Sequence, residues 1–123
     1  MRAKWWCAAM TGGGILLAFS TPVTQAEERG KDLFARRCSG CHALDSDREG
    51  PRLRGVYLRQ AAAVAGFGYS DALKKAAIRW DEASLDRWLR DPEAMAPGTD
   101  MEFRLADGEE RKAVIAYLKS LGK

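Results

Sequence analysis

The sequence predicts a small all-α domain, and three observations carry that expectation. Apolar residues recur at helical spacing in three separate stretches. No run alternates β-branched and polar residues as a half-buried strand would. The stretches are separated by Gly- and Pro-bearing segments, Asp45 to Gly55 and Pro92 to Arg104. With 46% hydrophobic and 30% charged residues over 123 positions, the composition fits one globular unit. Neither an internal repeat nor a low-complexity tract points to a second one.

The chain opens differently from how it continues. Met1-Arg2-Ala3-Lys4 is basic, Trp5 to Phe19 is apolar though interrupted by Gly12-Gly13-Gly14, and Ser20 to Ala26 is small and polar. Those three parts make a secretory signal peptide over residues 1–26, with cleavage expected after Ala26. As a membrane anchor the apolar run is short against the roughly 20 residues a bilayer needs. Lipidation at Cys7 is disfavoured, because Trp5-Trp6 stand where small and aliphatic residues should precede the cysteine. The remaining domain is residues 27–123.

Loss of Arg2 and Lys4 lowers Lys+Arg from 20 to 18 against 17 Asp+Glu, leaving the domain near neutral at +1. It has no basic tract of the kind that grips nucleic acid.

Within the domain, Glu27 to about Arg37 begins with acids, which favour a helix N-terminus, and carries Leu33 and Phe34. A shorter helical turn is expected from Ser70 through Leu73. Asp81 to Arg90 spaces Leu85, Trp88 and Leu89 on one face and stops at Asp91-Pro92. Asp107-Gly108-Glu109-Glu110 resembles a capping box, followed by Val114, Ile115, Leu118 and Leu121, with Gly122 as terminator. About 97 residues make few for a self-sufficient core, so a staple is expected.

Cys38-Ser39-Gly40-Cys41-His42 identifies that staple. Two thiols three positions apart can each add across a vinyl group of one haem, and the adjoining histidine becomes an axial ligand of its iron. A thioredoxin-like disulfide would need strand-rich surroundings, and a zinc site would need two more ligands. The chain has one histidine, and its third cysteine, Cys7, lies in the leader. Export fits as well, since a free dithiol outside the cytoplasm tends to oxidise unless captured.

A haem bound only through His42 could take oxygen or peroxide, whereas a second strong protein ligand confines it to moving electrons. His42 being the sole histidine, the second ligand must come from Met95 or Met101, since Met1 and Met10 belong to the leader. Pro97-Gly98 forces a turn that can carry the Met101 thioether sideways, while Met95 suits core packing. Met101 is therefore the expected ligand.

These features together resemble the class I cytochromes c, in particular the mitochondrial-like and cytochrome c2-like branch, from about Gly30 to Leu118. Gly30 and Phe34 match the glycine and aromatic of the family's first helix, and Tyr117 matches the aromatic of the helix that crosses it. Gly50-Pro51-x-Leu53-x-Gly55-Val56 matches the loop whose proline carbonyl receives the axial imidazole N–H. Gly66-Phe67-x-Tyr69-Ser70-x-Ala72-Leu73 is a close match. Arg59, Tyr69 and Trp80 align with the side chains that hydrogen-bond the inner haem propionate.

The resemblance implies three to five helices and loops wrapped around one covalently bound haem c. It implies Cys38, Cys41, Pro51, Arg59, Tyr69 and Trp80 at the cofactor, with His42 and Met101 on the iron. The implied work is one-electron transport in the periplasm rather than catalysis. Its partners would be a dehydrogenase donor and an oxidase or reductase acceptor, met by a monomer that touches the membrane only through them.

Three departures stand out. Trp88 replaces a tyrosine that hydrogen-bonds near the methionine sulfur, which puts that bond in question. Leu58 and Ala62 replace glycines, so the loop carrying Arg59 is expected to run differently. Glu93, Ala94 and Asp100 occupy positions where lysine is common, which predicts a partner with a neutral, mixed or apolar face. Two other classes remain open on the sequence. A peroxidase or gas sensor needs an open sixth position and a distal acid-base pair. A haem subunit held permanently by a larger enzyme would share all the motifs above.

Overall fold

A computed structural model of the chain describes residues 23–122. The expected leader falls outside them except for 23–26. The helices are α1 (Gln25–Arg37), α2 (Asp71–Lys75), α3 (Glu82–Arg90), α4 (Pro92–Met95) and α5 (Gly108–Ser120). Among the described residues the one β pairing is an isolated antiparallel bridge between Gln60 and Arg79. No helix there is long and apolar enough to cross a membrane.

Each helix starts where a short polar side chain can accept from free backbone N–H groups. Thr24 and Glu27 form a reciprocal capping box at α1, so that helix begins two residues before the sequence-based boundary. Cleavage after Ala26 would separate Thr24 from the helix it caps. Asp81 and Ser84 do the same for α3. Ser70 accepts from Leu73 N–H at α2. Asp107 accepts from both Glu109 and Glu110 N–H at α5. The box expected there is half made, because Glu110 faces Arg37 at 3.9 Å. One helix was not foreseen: α4 occupies the start of the segment read as irregular, with Asp91 as cap and Pro92 in its first turn.

The closest helix pair is α1 against α5. Gly30 is buried there, and a β-carbon on it would lie 2.7 Å from Tyr117 Cβ and collide with the Ala113 carbonyl. Only glycine lets the backbones meet. Phe34 and Tyr117 then pack edge to face, with ring centroids 5.8 Å apart. Leu33, Val114, Ile115 and Leu118 join Leu85, Trp88 and Leu89 of α3 in the core. Each such side chain contributes about 1.5–3 kcal/mol on burial. This corner of three helices is the scaffold, and the remaining chain loops away from it to enclose a cleft.

Candidate functional site

The cleft is a cavity of about 440 Å³ between the helical corner and the loops. Leu53, Val56, Trp80, Leu85, Leu89 and Leu118 give it an apolar wall. Cys38, Cys41, His42, Arg59, Tyr69, Trp80 and Met101 all line it, together with Pro51. Every residue expected at the cofactor or on its iron is therefore brought to one place. Met95 is not among the lining residues and packs partly buried against the core.

The segment bearing the two thiols continues directly from α1. Cys38 N–H still donates to Phe34 O, after which Cys41 and His42 N–H both turn back onto Cys38 O, at 3.1 and 2.9 Å. The tight turn presents both sulfurs and the imidazole to the cavity. Neither cysteine is in a disulfide. Burial is the main reason the Cys38 thiol is pushed up to about 11, while Cys41 is exposed and raised chiefly by its hydrogen bond to Glu49.

His42 is oriented by a second strand of loop. Gly50 N–H donates to Cys41 O, Leu53 N–H to Ala43 O and Arg54 N–H to Leu44 O, all within 3.0 Å. Arg52–Asp47 and Arg54–Asp45 ion pairs brace the same segment from outside. Pro51 O consequently lies 2.8 Å from His42 Nδ1. A carbonyl can only accept, so Nδ1 carries the proton and Nε2 keeps its lone pair for a metal. Gly50 lies flat on the ring, where a β-carbon would come 2.6 Å from Nδ1.

Met101 follows the turn that Pro97-Gly98 makes, with Gly98 at φ +88°. Gly98 N–H donates to the Glu93 carboxylate at 3.0 Å, and Leu105 N–H to Leu89 O at 2.7 Å, tying down both ends of the loop. Arg111 adds a tie. Its guanidinium, almost fully buried, donates to Leu105 O at 2.9 Å, Ala106 O at 2.7 Å and Asp86 Oδ1 at 2.7 Å. Trp88 settles the bond in question: its indole Nε1–H donates to Met101 Sδ at 3.2 Å. Trp88 in turn stands edge-on to Trp80, centroids 5.1 Å apart.

At the polar end of the cavity, Arg59 donates to the carbonyls of Arg52 and Arg54 at 3.1 and 3.4 Å. Burial pulls its guanidinium below the usual value, as expected for a cation held off water. Tyr69 OH accepts from Val64 N–H at 3.1 Å, which leaves its own proton to donate. The loop holding Arg59 carries two non-glycine residues in a conformation that glycine favours. Leu58 and Ala62 adopt φ +66° and +57°, the left-handed region that glycine favours.

The cavity fits a haem on the chemistry of its lining. An apolar slot suits a flat macrocycle, two rim thiols suit its vinyl groups, and Arg59 with Tyr69 can meet a carboxylate. One imidazole nitrogen and one thioether are available to iron. Trp88 as sulfur donor, Arg111 as loop anchor and Gly50 as ring support escape a linear reading. Signals existed for Trp88, through the departure from tyrosine, and for Gly50, through the matched loop motif, but none for Arg111.

A family model described as Cytochrome c matches residues 27–122. Cytochrome c of Euglena viridis is 42% identical over 97 residues, covering 76% of this chain and 95% of that protein. Cytochrome c2 iso-2 of Magnetospirillum fulvum is 44% identical over 87 residues, covering 68% and 91%. Among solved structures, cytochrome cH from Methylobacterium extorquens superposes with a TM-score of 0.73 at 38% identity, covering 76% of this chain and 97% of that one.

Proposed function

The chain belongs to the cytochrome c family, and from that membership we propose a periplasmic one-electron carrier whose iron is held between His42 and Met101. Haem c is the family's cofactor, and Cys38 and Cys41 stand where its thioethers form. Residues 1–26 serve as the leader that takes the chain to the compartment of attachment. When bound, the haem supplies a single metal centre that cycles between Fe(III) and Fe(II).

The observation that carries this reading is the preparation of two ligands by their neighbours. Pro51 fixes the His42 tautomer, and Trp88 fixes the Met101 sulfur. Both side chains are restrained by protein neighbours, so the same pair can serve both oxidation states with little rearrangement. A soft thioether favours the reduced iron and raises the potential into an electron carrier's range. Arg59, Tyr69 and Trp80 receive the inner propionate and keep its charge from standing alone in an apolar slot. The donor is a dehydrogenase and the acceptor an oxidase or reductase, met by a monomer.

One optical spectrum tests the ligand pair. The weak red-end band of the oxidised protein that iron–thioether bonding produces should vanish in Met101→Ala and persist in Met95→Ala. Loss in Met95→Ala alone would reverse the assignment. Persistence in both would remove methionine from the iron.

A further inference from the structure

We propose that the mouth of the cleft docks its redox partner through a carboxylate rim, so that the partner presents lysine or arginine around its own electron-exit edge. The inference rests on the reading of the chain as an electron carrier, and it concerns the sign of charge that governs encounter.

Cys41, Glu49, Asp100, Glu102 and Phe103 are both exposed and part of the cavity lining, which places them at its mouth, and Arg37 is the one cation that shares both properties. Phe103 is one of three exposed large hydrophobic side chains among the described residues. An accessible aromatic ringed by charge is the anatomy of a transient protein interface.

The cations nearby are already engaged. Arg37 faces Glu110 at 3.9 Å, and Arg104 pairs with Asp91 at 2.9 Å. Arg48 donates to Ser39 O at 2.8 Å, and Arg59 turns inward to two backbone carbonyls. Asp100 and Glu102 have no ion-pair partner among the described residues. Glu49 accepts only from the Cys41 thiol, at 3.5 Å, and thioether formation removes that proton. Backbone carbonyls leave the charges of Arg48 and Arg59 in place, but the exposed lining holds three carboxylates without an ion-pair partner against Arg37 alone, which faces Glu110, so the mouth is net negative. Lys74, Lys112 and Lys119 face Asp71, Glu109 and Glu82, and none of the three lines the cavity.

The polypeptide is only slightly positive, and the two propionates of a bound haem would reverse that sign, so the carboxylate variant rather than the salt slope separates rim charge from overall charge. Charged rims act chiefly on the rate of encounter, within a screening length of about 8–10 Å at moderate salt. A cationic partner face would be drawn to this mouth and an acidic one repelled.

The test uses the haem-loaded, reduced protein and two small oxidants, tris(phenanthroline)cobalt(III) and hexacyanoferrate(III), in stopped flow across a range of ionic strength. The expected result is that added salt slows oxidation by the cobalt cation and speeds oxidation by the iron anion. The triple variant Glu49→Gln, Asp100→Asn, Glu102→Gln should change the low-salt ratio of the two rates about tenfold toward the anion. Poly-lysine, as a protein-like cation, should slow the cobalt reaction of the parent and spare that of the variant. Salt slopes of the reverse sign, an unmoved ratio in the variant, or indifference to poly-lysine would each overturn the inference while leaving electron transport intact. Exchange with neither oxidant would overturn the carrier reading and the inference with it.

Discussion

The indole N–H of Trp88 donates to the sulfur of Met101 across 3.2 Å, joining α3 to a loop thirteen positions further on. A thioether has two lone pairs. Occupying one with a hydrogen bond leaves one to face a metal, so Trp88 selects the sulfur's orientation as well as its place. Sulfur bound to Fe(III) is poorer in electrons than sulfur bound to Fe(II) and accepts the bond less well. With Met101 on the iron as proposed, the bond would therefore favour the reduced state.

Trp88→Phe should keep the ring and lose the donor. A net hydrogen bond of about 1 kcal/mol, set against 59 mV per tenfold for one electron, predicts a fall in potential that reaches about 40 mV if the bond is wholly lost in Fe(III). Redox titration checks this, provided the iron–thioether band persists in the variant. An unchanged potential would mean that Trp88 only fills space.

Leu58 and Ala62 hold left-handed conformations on either side of Arg59. An L-residue there costs about 1–2 kcal/mol, against about 0.5–1 kcal/mol for the extra unfolded freedom of glycine. Leu58 is exposed, so its side chain gives up little on removal. Leu58→Gly should raise stability by about 0.5–1 kcal/mol, the balance of those terms, and Ala62→Gly by somewhat less. Gly55→Ala, at φ +74° with open space around it, should lower stability. Denaturant midpoints of the holoprotein decide it, and a loss in Leu58→Gly would contradict the strain argument.

Gly50 lies against the face of the His42 ring, close to both of its nitrogens. A methyl group there would meet three ring atoms, and the imidazole cannot yield without leaving Pro51 O. Gly50→Ala should cost about 1–3 kcal/mol of overpacking. It should also shift the imidazole resonances in an NMR spectrum of the holoprotein. Gly40→Ala, where no atom lies within 4 Å, is the control and should change neither.

What the sequence made legible follows from how local each cause is. Cys38 to His42 is a covalent pattern read by spacing alone, and the turn at Pro97-Gly98 separates Met101 from Met95 without reference to anything distant. The helices of the core could be read because their apolar faces repeat within ten residues. α4 was hidden because four residues beginning with proline carry no period to detect. The capping box of Thr24 and Glu27 was hidden because the leader's boundary was drawn between them. Arg111 is the clearest case. An arginine amid Ala113, Val114 and Ile115 reads as a solvent-facing charge, and only the approach of the Leu105 and Ala106 carbonyls and the Asp86 carboxylate makes its burial tolerable.

That burial gives the last prediction. Asp86 receives hydrogen bonds from Arg111 at 2.7 Å and Arg90 at 2.9 Å, and the Arg111 bond is the main cause that holds its carboxyl below the ordinary range. With the folded value below the unfolded one, the linkage stabilises the protein fully above the unfolded value. That stability is lost as pH falls through the folded value. The affected element is the segment from Met101 to Ala106, since the same guanidinium ties Leu105 and Ala106. Asp86 is partly exposed, so solvent screening holds its contribution to about 1 kcal/mol. Asp86→Asn should therefore be less stable than the parent by about that amount at neutral pH, and the gap should close in acid as the parent's own carboxyl protonates. Acid titrations that follow the iron–thioether band should show a shallower pH dependence in the variant. A gap that stayed constant from neutral pH into acid would show that Asp86 acts through shape alone and not through its charge.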